Sequence, residues 1–422
     1  MAIKQNIVAN YMGSAIVGLA PILALPWYLG ALGPKQFGLI SFVLLLQALL
    51  GLFDAGLSQA LIREFAVRHG QSASERQSAG ALLFAFERIY WVFAFLLAVL
   101  TAILAQPISS HWLNLGDLPP YLGSIAVLGA AALFLVQFPG SVYKSALVGT
   151  QAQVGLNVLS ASFMFVRHAG GVLVVQGWPQ VQTYLMWHVA ISLVETVLRG
   201  WLAWARVKAP RGEFDWDSAT LRSAWRWAFG LSGAAWIGAL TVQMDRIFLS
   251  RLVQVDQLGY YSIAATVAAG SLQAIYPLVQ AVMPRAVQLR NDPQAVRRLV
   301  LRLARAIFLV VLTGAVGYAT LGHWLMSKWL HNPQAEAVVY PILSVLLLGT
   351  AMNAFYNIGY VYWLVNDSVM RILQVNIVGL VLSIILIPLF VKYVGTIGAA
   401  IGWLGINLTG FLMSLGWIRK TR

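Results

Sequence analysis

Residues 240–265 read LTVQMDRIFLSRLVQVDQLGYYSIAA, and the reading of this stretch decides the fold. An apolar segment carries an adjacent acid and base, Asp245 and Arg246, closes at Arg251, turns through Val255 to Leu258, and re-enters apolar sequence at Gly259. A similar turn stands near the start of the chain, where residues 29–42 read LGALGPKQFGLISF. Sliding it by 221 residues lays Gln36 on Gln257, Gly38 on Gly259 and Ser41 on Ser262. That offset is close to half of the 422 residues, so the chain reads as two copies of one unit.

The medium follows from composition. With 59% hydrophobic residues, 10% charged residues and a mean hydropathy of +0.76, the chain has too much apolar surface to leave in water. A spanning helix needs about 20 apolar residues to cross roughly 30 Å of hydrocarbon. Twelve such runs are expected, at residues 7–29, 38–57, 79–104, 120–142, 154–176, 183–203, 226–249, 258–283, 304–326, 338–365, 371–393 and 397–418. The alternation of a transmembrane barrel, in segments of about ten residues, is missing from the sequence.

Charge then sets the orientation. A net charge of +14 would suggest nucleic acid in a soluble protein, but here the basic residues segregate by loop. With the N-terminus in the cytoplasm, twenty lysines and arginines fall on inside segments, from Lys4 and Arg63 to the cluster at Arg285–Arg305 and the end at Arg422. The outside segments hold only Lys35, Arg251, Lys328 and Lys392, so the positive-inside rule places both termini in the cytoplasm. The first run contains Pro21 and Pro26 and lacks a short core followed by a small-residue cleavage site, so it reads as a retained helix. The absence of cysteine excludes disulfides and thiol chemistry.

Polar residues recur at helical spacing inside the apolar runs. Asn6, Asn10 and Ser14 share one face of the first, and Gln47, Gly51, Asp54 and Ser58 one face of the second. Asn157, Ser160, Met164 and Arg167 form a stripe on the fifth, with Arg167 near mid-depth, while Glu195 and Arg199 stand four apart on the sixth. In the second half, Ser262, Thr266, Gln273 and Gln280 share one face, and Thr350, Asn353, Asn357 and Tyr360 another. Pro139 with Gly140, and Pro277, mark expected kinks. Residues 204–225 are the one long stretch that mixes Pro, Gly and both charge signs. The domain reading is therefore a six-helix bundle over 1–205, a cytoplasmic linker over 206–225 and a second six-helix bundle over 226–422. Six crossings return the chain to its starting side, so the bundles are parallel repeats around a central cavity. The leading stripes of each half are its expected lining.

At this point a family resemblance rests on identifiable motifs. The turn Leu-Gly-Pro-Lys-Gln-Phe-Gly at 32–38, Phe-Asp-Ala-Gly-Leu-Ser at 53–58 with Arg63 beyond it, the 245–264 stretch and Val-Gly-Thr-Ile-Gly-Ala-Ala at 394–400 resemble the polysaccharide transporter family. This is the flippase type within the multidrug/oligosaccharidyl-lipid/polysaccharide exporter superfamily. The resemblance implies an all-helical flippase that moves a polyprenyl-diphosphate-linked oligosaccharide, such as an O-antigen or capsule repeat unit, across a bacterial inner membrane by alternating access. The implied partners are that lipid-linked substrate, membrane lipids, and a polysaccharide polymerase with its chain-length machinery. Nucleic acid is not among them. No cofactor is implied beyond a coupling cation, H+ or Na+, whose identity the sequence leaves open. A multidrug exporter of the same fold is the alternative. An enzyme is disfavoured, because no outside loop is long and no paired-carboxylate or nucleophile-base constellation occurs; no catalytic or metal-ligating residues are expected.

A charged side chain at a helix centre costs about 2.5–3.5 kcal/mol on insertion scales, so intramembrane charges are functional candidates. A guanidinium stays protonated and grips phosphate bidentately. Arg88, Arg167, Arg199 and Arg246 are accordingly the expected diphosphate ligands, with Gln47, Gln273 and Trp91 as further substrate contacts. Asp54, Glu87, Glu195 and Asp245 are the expected ion-coupling or gating carboxylates. Adjacent residues stand about 100° apart on a helix, so Glu87 with Arg88, and Asp245 with Arg246, should find partners on other helices. The topology is testable directly: a fluorescent protein fused after Arg422 should fluoresce in cells and alkaline phosphatase at the same position should stay inactive. Active phosphatase there would reverse the orientation.

Overall fold

In hydrocarbon no water satisfies the backbone, so a spanning chain must pair its own amides, and helices do this within one segment. The computed structural model describes residues 2–54, 56–68, 73–208, 236–366 and 368–416, with backbone alone for 2–16 and 73; every regular element among them is helical. Chain order runs through α1 (Ala2–Gly51), a 3-10 turn (Leu52–Asp54), α2 (Leu57–Val67), α3 (Ala73–Ile103) and α4 (Ala105–His111). It continues through α5 (Pro120–Gln137), α6 (Gly140–Gly149), α7 (Gln153–Phe165), a π turn (Val166–Gly170), α8 (Gly171–Gly177) and α9 (Val181–Val207). A helix over 236–252, here α10, precedes α11 (Val255–Ser271), a 3-10 turn (Leu272–Ala274), α12 (Tyr276–Gln288), α13 (Pro293–Leu330), α14 (Pro333–Val365), α15 (Val369–Val394) and α16 (Thr396–Ser414).

Among the described residues, ten helical stretches are long and apolar enough to cross a membrane, against twelve expected. The difference has two sources. The runs at 7–29 and 38–57 are continuous in α1 and are divided inside it by Gly33. The run at 226–249 falls partly outside the described residues, as do the side chains of Asn6, Asn10 and Ser14 and most of the expected linker. Gly33 has φ 72° and ψ 167°, a conformation open essentially to glycine alone. Pro34 follows, where a missing N–H costs a new helix nothing. The break expected at Pro139–Gly140 separates α5 from α6, and Pro277 sits in the first turn of α12 after a 3-10 interruption.

The chain divides into two compact units, residues 1–236 and 237–422. In the first, α2, α3, α5, α6 and α9 enclose a core that includes Phe65, Leu83, Phe86, Tyr90, Val142 and Ala203. In the second, α12, α13 and α14 bury Val296, Val300, Ile307 and Val361, and α16 packs on both α14 and α15. Large apolar side chains also lie bare on the outside, such as Leu96, Leu173, Trp201, Leu309 and Ile385. So many exposed apolar groups are stable only against lipid.

The sequence repeat has a structural counterpart within each unit. Gln36 Oε1 accepts the N–H of Val181, the first residue of α9, at 2.9 Å. Gln257 Oε1 accepts the hydroxyl of Thr396, the first residue of α16, at 3.3 Å. Helix starts leave unpaired N–H groups, and the two aligned glutamines each tie the first turn of a unit to the start of its last helix. Asp245, buried in α10, accepts from Tyr261 of α11 at 2.6 Å and so clamps the two arms of the opening stretch together.

Placing a Cβ at position 33 meets no atom within 4 Å, so the cost of a side chain there is purely conformational. Gly33→Ala should destabilise the purified protein by about 1–3 kcal/mol, read as a lower thermal unfolding midpoint in detergent. An unchanged midpoint would show that this backbone conformation is not retained.

Candidate functional site

Unit 1 holds a cavity of about 500 Å³ between α1, α5, α6, α7 and α9. Two polar stripes read from the sequence converge on it: Gln47, Gly51 and Asp54 from one side, and Asn157, Ser160, Met164 and Arg167 from another. Its electrostatic centre is Glu195 on α9. One carboxylate oxygen pairs with Arg167 and the other with Arg199, one turn further along the same helix. The Glu195 side chain is only 7% exposed, and the two arginines 13% and 19%. A lone charge at this depth would carry the insertion cost above, and sharing one carboxylate between two guanidiniums offsets much of it.

Local backbone geometry delivers Arg167 to this point. It sits in the π turn between α7 and α8, a wide turn of the kind found at functional positions. Side chains from elsewhere bond to carbonyls of this turn: Trp187 Nε1 donates to the Arg167 carbonyl at 3.0 Å, and the Tyr28 hydroxyl donates to the His168 carbonyl at 3.2 Å. Arg199 Nη2 donates to the Ser160 hydroxyl at 3.1 Å. Nε of both Arg167 and Arg199 is buried without a partner among the described residues, so each guanidinium has a donor not engaged by them. Among the described residues, Lys144 and Asp54 complete the charged lining, giving three cations against two carboxylates. Such a cavity favours a compact anion.

Of the other expected site residues, Asp54 is in the cavity wall and the rest stand elsewhere. Asp54 accepts from Ser58 at 2.6 Å and from Tyr90 at 2.7 Å, which holds its carboxylate at the cavity wall. Glu87 is bound by the Tyr143 hydroxyl at 2.6 Å and Trp204 Nε1 at 3.1 Å, both on other helices. Trp91 donates to the Tyr143 hydroxyl at 3.2 Å and joins that group. Arg88 is exposed, with its guanidinium 3.7 Å from the centre of the Phe84 ring. Arg246 and Gln273 belong to unit 2: Arg246 donates to Gln243 at 3.3 Å, and Gln273 is exposed in the 3-10 turn. The structure thus brings Gln47, Asp54, Arg167, Glu195 and Arg199 together, and leaves Arg88, Trp91, Glu87, Asp245, Arg246 and Gln273 outside this cavity.

The lining group Gln137 and its partner Ser192 escaped the sequence reading. Gln137 accepts from Gln47 at 3.1 Å and donates to Ser192 at 2.9 Å, linking α1, α5 and α9. The signals were present: a lone glutamine deep in an apolar run, and the Ser192, Glu195, Thr196, Arg199 spacing of a single helical face.

Comparison with known proteins adds lineage. The family described as polysaccharide biosynthesis protein matches residues 31–338. The amylovoran biosynthesis protein AmsL of Erwinia amylovora is 26% identical over 332 residues, 72% of this chain and 82% of that protein. A putative O-antigen transporter of Shigella flexneri is 23% identical over 414 residues, 96% and 94% of the two chains. In fold, the chain is similar to an inward closed structure of the lipid II flippase MurJ, with a TM-score of 0.72 at 11% identity over 98% of this chain and 87% of that one. It is also similar to an inward-facing multidrug resistance transporter of the MATE family, with a TM-score of 0.67 at 14% identity over 98% and 97%.

Removing the shared carboxylate isolates two buried guanidiniums. Glu195→Ala should cost about 3–5 kcal/mol, the loss typical of a broken buried pair, seen as a lower unfolding midpoint. Arg199→Ala should cost less, because Glu195 keeps Arg167. Equal losses would show that the two arginines do not share the carboxylate.

Proposed function

This chain belongs to the polysaccharide biosynthesis protein family, and on that premise we propose that it is a flippase for a polyprenyl-diphosphate-linked oligosaccharide. The observation that carries the reading is the arginine-lined cavity of unit 1, where Arg167 and Arg199 converge on one carboxylate and keep unpartnered donors. A diphosphate offers paired anionic oxygens, and guanidinium forks match them in geometry and charge. The names of the two relatives above, one in amylovoran biosynthesis and one in O-antigen transport, support a polysaccharide precursor as cargo.

In this reading the diphosphate enters from the cytoplasmic side and docks on Arg167 and Arg199, with Lys144 adding charge at the lining. Glu195 balances the arginines while the cavity is empty and holds them in register for the headgroup. Gln47, Gln137 and Asn157 supply neutral hydrogen bonds around the charged centre. The polyprenyl tail stays in the bilayer, where its burial in protein would gain nothing over lipid. Release to the outer leaflet follows by alternating access of two six-helix bundles with twelve crossings, bounded at 1–205 and 226–422 and joined by 206–225. The division of the chain into two compact units, 1–236 and 237–422, supports a two-part architecture. Both termini are cytoplasmic and the membrane is the bacterial inner membrane. No bond is made or broken, so the protein acts as a transporter and not as an enzyme. Any coupling to H+ or Na+ would run through Asp54 or Glu195, the two carboxylates of the cavity.

Depletion of the protein should accumulate a lipid-linked oligosaccharide in the inner leaflet and reduce surface polysaccharide. Unchanged lipid intermediates with new drug sensitivity would favour a multidrug exporter. Arg167→Ala, at normal expression, should abolish export; Arg88→Ala should leave most of it, since Arg88 is outside the cavity.

A further inference from the structure

Unit 2 contains a second, smaller pocket of different chemistry. It occupies about 100 Å³ between α10, α14, α15 and α16 and is lined by Thr241, Asn353, Asn376, Asn407, Tyr356 and Trp403. Among the described residues, no charged side chain lines it. Where the cavity of unit 1 is built from ions, this one is built from amides, a hydroxyl and aromatic faces.

Its amides are held in fixed orientation. Asn353 Nδ2 donates to Asn407 Oδ1 at 2.8 Å, and Asn407 Nδ2 donates to the Trp403 carbonyl at 2.8 Å. A carboxamide carries two N–H donors and two acceptor lone pairs, and this chain engages one N–H of each of these two residues. The space beside them is kept open by glycines. Gly238, Gly379 and Gly410 line the pocket from three different helices, and a Cβ at position 238 would stand 3.1 Å from Asn376 Nδ2. The indole of Trp403 is held at its other edge by Gly349, where a Cβ would lie 3.0 Å from Nε1.

The ligand class follows by chemistry. An anion finds no countercharge here. An apolar guest would strip water from three amides without replacing their hydrogen bonds, at a cost for each. A sugar ring has the required pattern: hydroxyls that both donate and accept around its edge, and an apolar C–H face for an aromatic side chain. A water needs only about 10–15 Å³ of such volume, so the pocket takes several waters or one edge of a pyranose, but not an oligosaccharide. We propose that this pocket binds one edge of a neutral pyranose, the sugar portion of the lipid-linked cargo, through Asn353, Asn376, Asn407 and the rings of Tyr356 and Trp403. This assignment rests on the flippase reading and adds to it a separate sugar subsite on the second unit.

The test uses the full chain in lipid nanodiscs and two probes. Saturation-transfer NMR is recorded with methyl glycosides of glucose, galactose and N-acetylglucosamine, and binding of farnesyl diphosphate is measured in parallel. The decisive variant is Gly379→Ala with Gly410→Ala. The new Cβ atoms would lie 3.4 Å from Ile406 Cγ2 and 3.5 Å from Val375 Cγ1, near ordinary contact, so the pocket fills while the fold is kept. Alanine also favours helix over glycine. A second variant, Asn353→Leu, removes an amide at similar volume. The expected result is saturation transfer to at least one glycoside in the parent protein and its loss in both variants, with farnesyl diphosphate binding unchanged in all three. Transfer that survives filling of the pocket would overturn the assignment by placing the sugar elsewhere. Diphosphate binding with no glycoside signal in the parent would overturn the subsite and leave the flippase reading standing. Loss of both probes in the parent would remove the subsite together with the reading it rests on. Thermal stabilisation by sodium ion, lost on filling, with no glycoside signal would overturn it in favour of a cation site.

Discussion

A hydrocarbon surround offers no hydrogen bond to an open peptide group, and every feature of this chain answers to that constraint. It makes the regular structure helical among the described residues. It also makes each interruption costly, so the interruptions carry information. At Gly33 the break coincides with the turn that the repeat comparison found in both halves. At 166–170 the widened turn is secured by Trp187 and Tyr28, and it carries Arg167 to the cavity. Helix breaks are tolerated where other side chains re-satisfy the freed groups, which is the case at both carbonyls named here.

The same low-dielectric surround governs the charges. Each buried ion needs a partner within hydrogen-bonding distance, and this chain uses two solutions. Glu195 serves two arginines at once, leaving a net positive site with donors to spare. Glu87 and Asp245 are satisfied by neutral donors instead, tyrosine hydroxyls and an indole. The first arrangement suits binding of an anion, because a guest can compete for donors that are not all engaged. The second fixes the position of a carboxylate through neutral hydroxyl and indole donors, as Ser58 and Tyr90 also do for Asp54. Carboxylates that look alike in sequence therefore have different partners.

The site was partly legible. Spacing alone placed Gln47 with Asp54, and Asn157 with Ser160 and Arg167, on common faces, and those faces do converge on one cavity. The four-residue interval of Glu195 and Arg199 also led directly to an observed ion pair. Arg88 neighbours Glu87, yet at about 100° per residue the two side chains meet different surroundings: Glu87 reaches Tyr143 and Trp204, and Arg88 is exposed beside Phe84. Periodicity reports which residues share a face, and it is silent on which way that face turns.

Composition and hydropathy by themselves determined that the chain is a helical membrane protein, because those properties are sums over local sequence. The pairing of Arg167 with Glu195, the bridging role of Gln137 and the amide chain of Asn353 and Asn407 were decided only by tertiary structure. Each of these joins residues far apart in the chain on helices whose rotation is set by packing. The opening stretch shows both levels at once. Its turn is read from the sequence, whereas the 2.6 Å bond from Tyr261 to Asp245 exists only once α10 and α11 lie side by side.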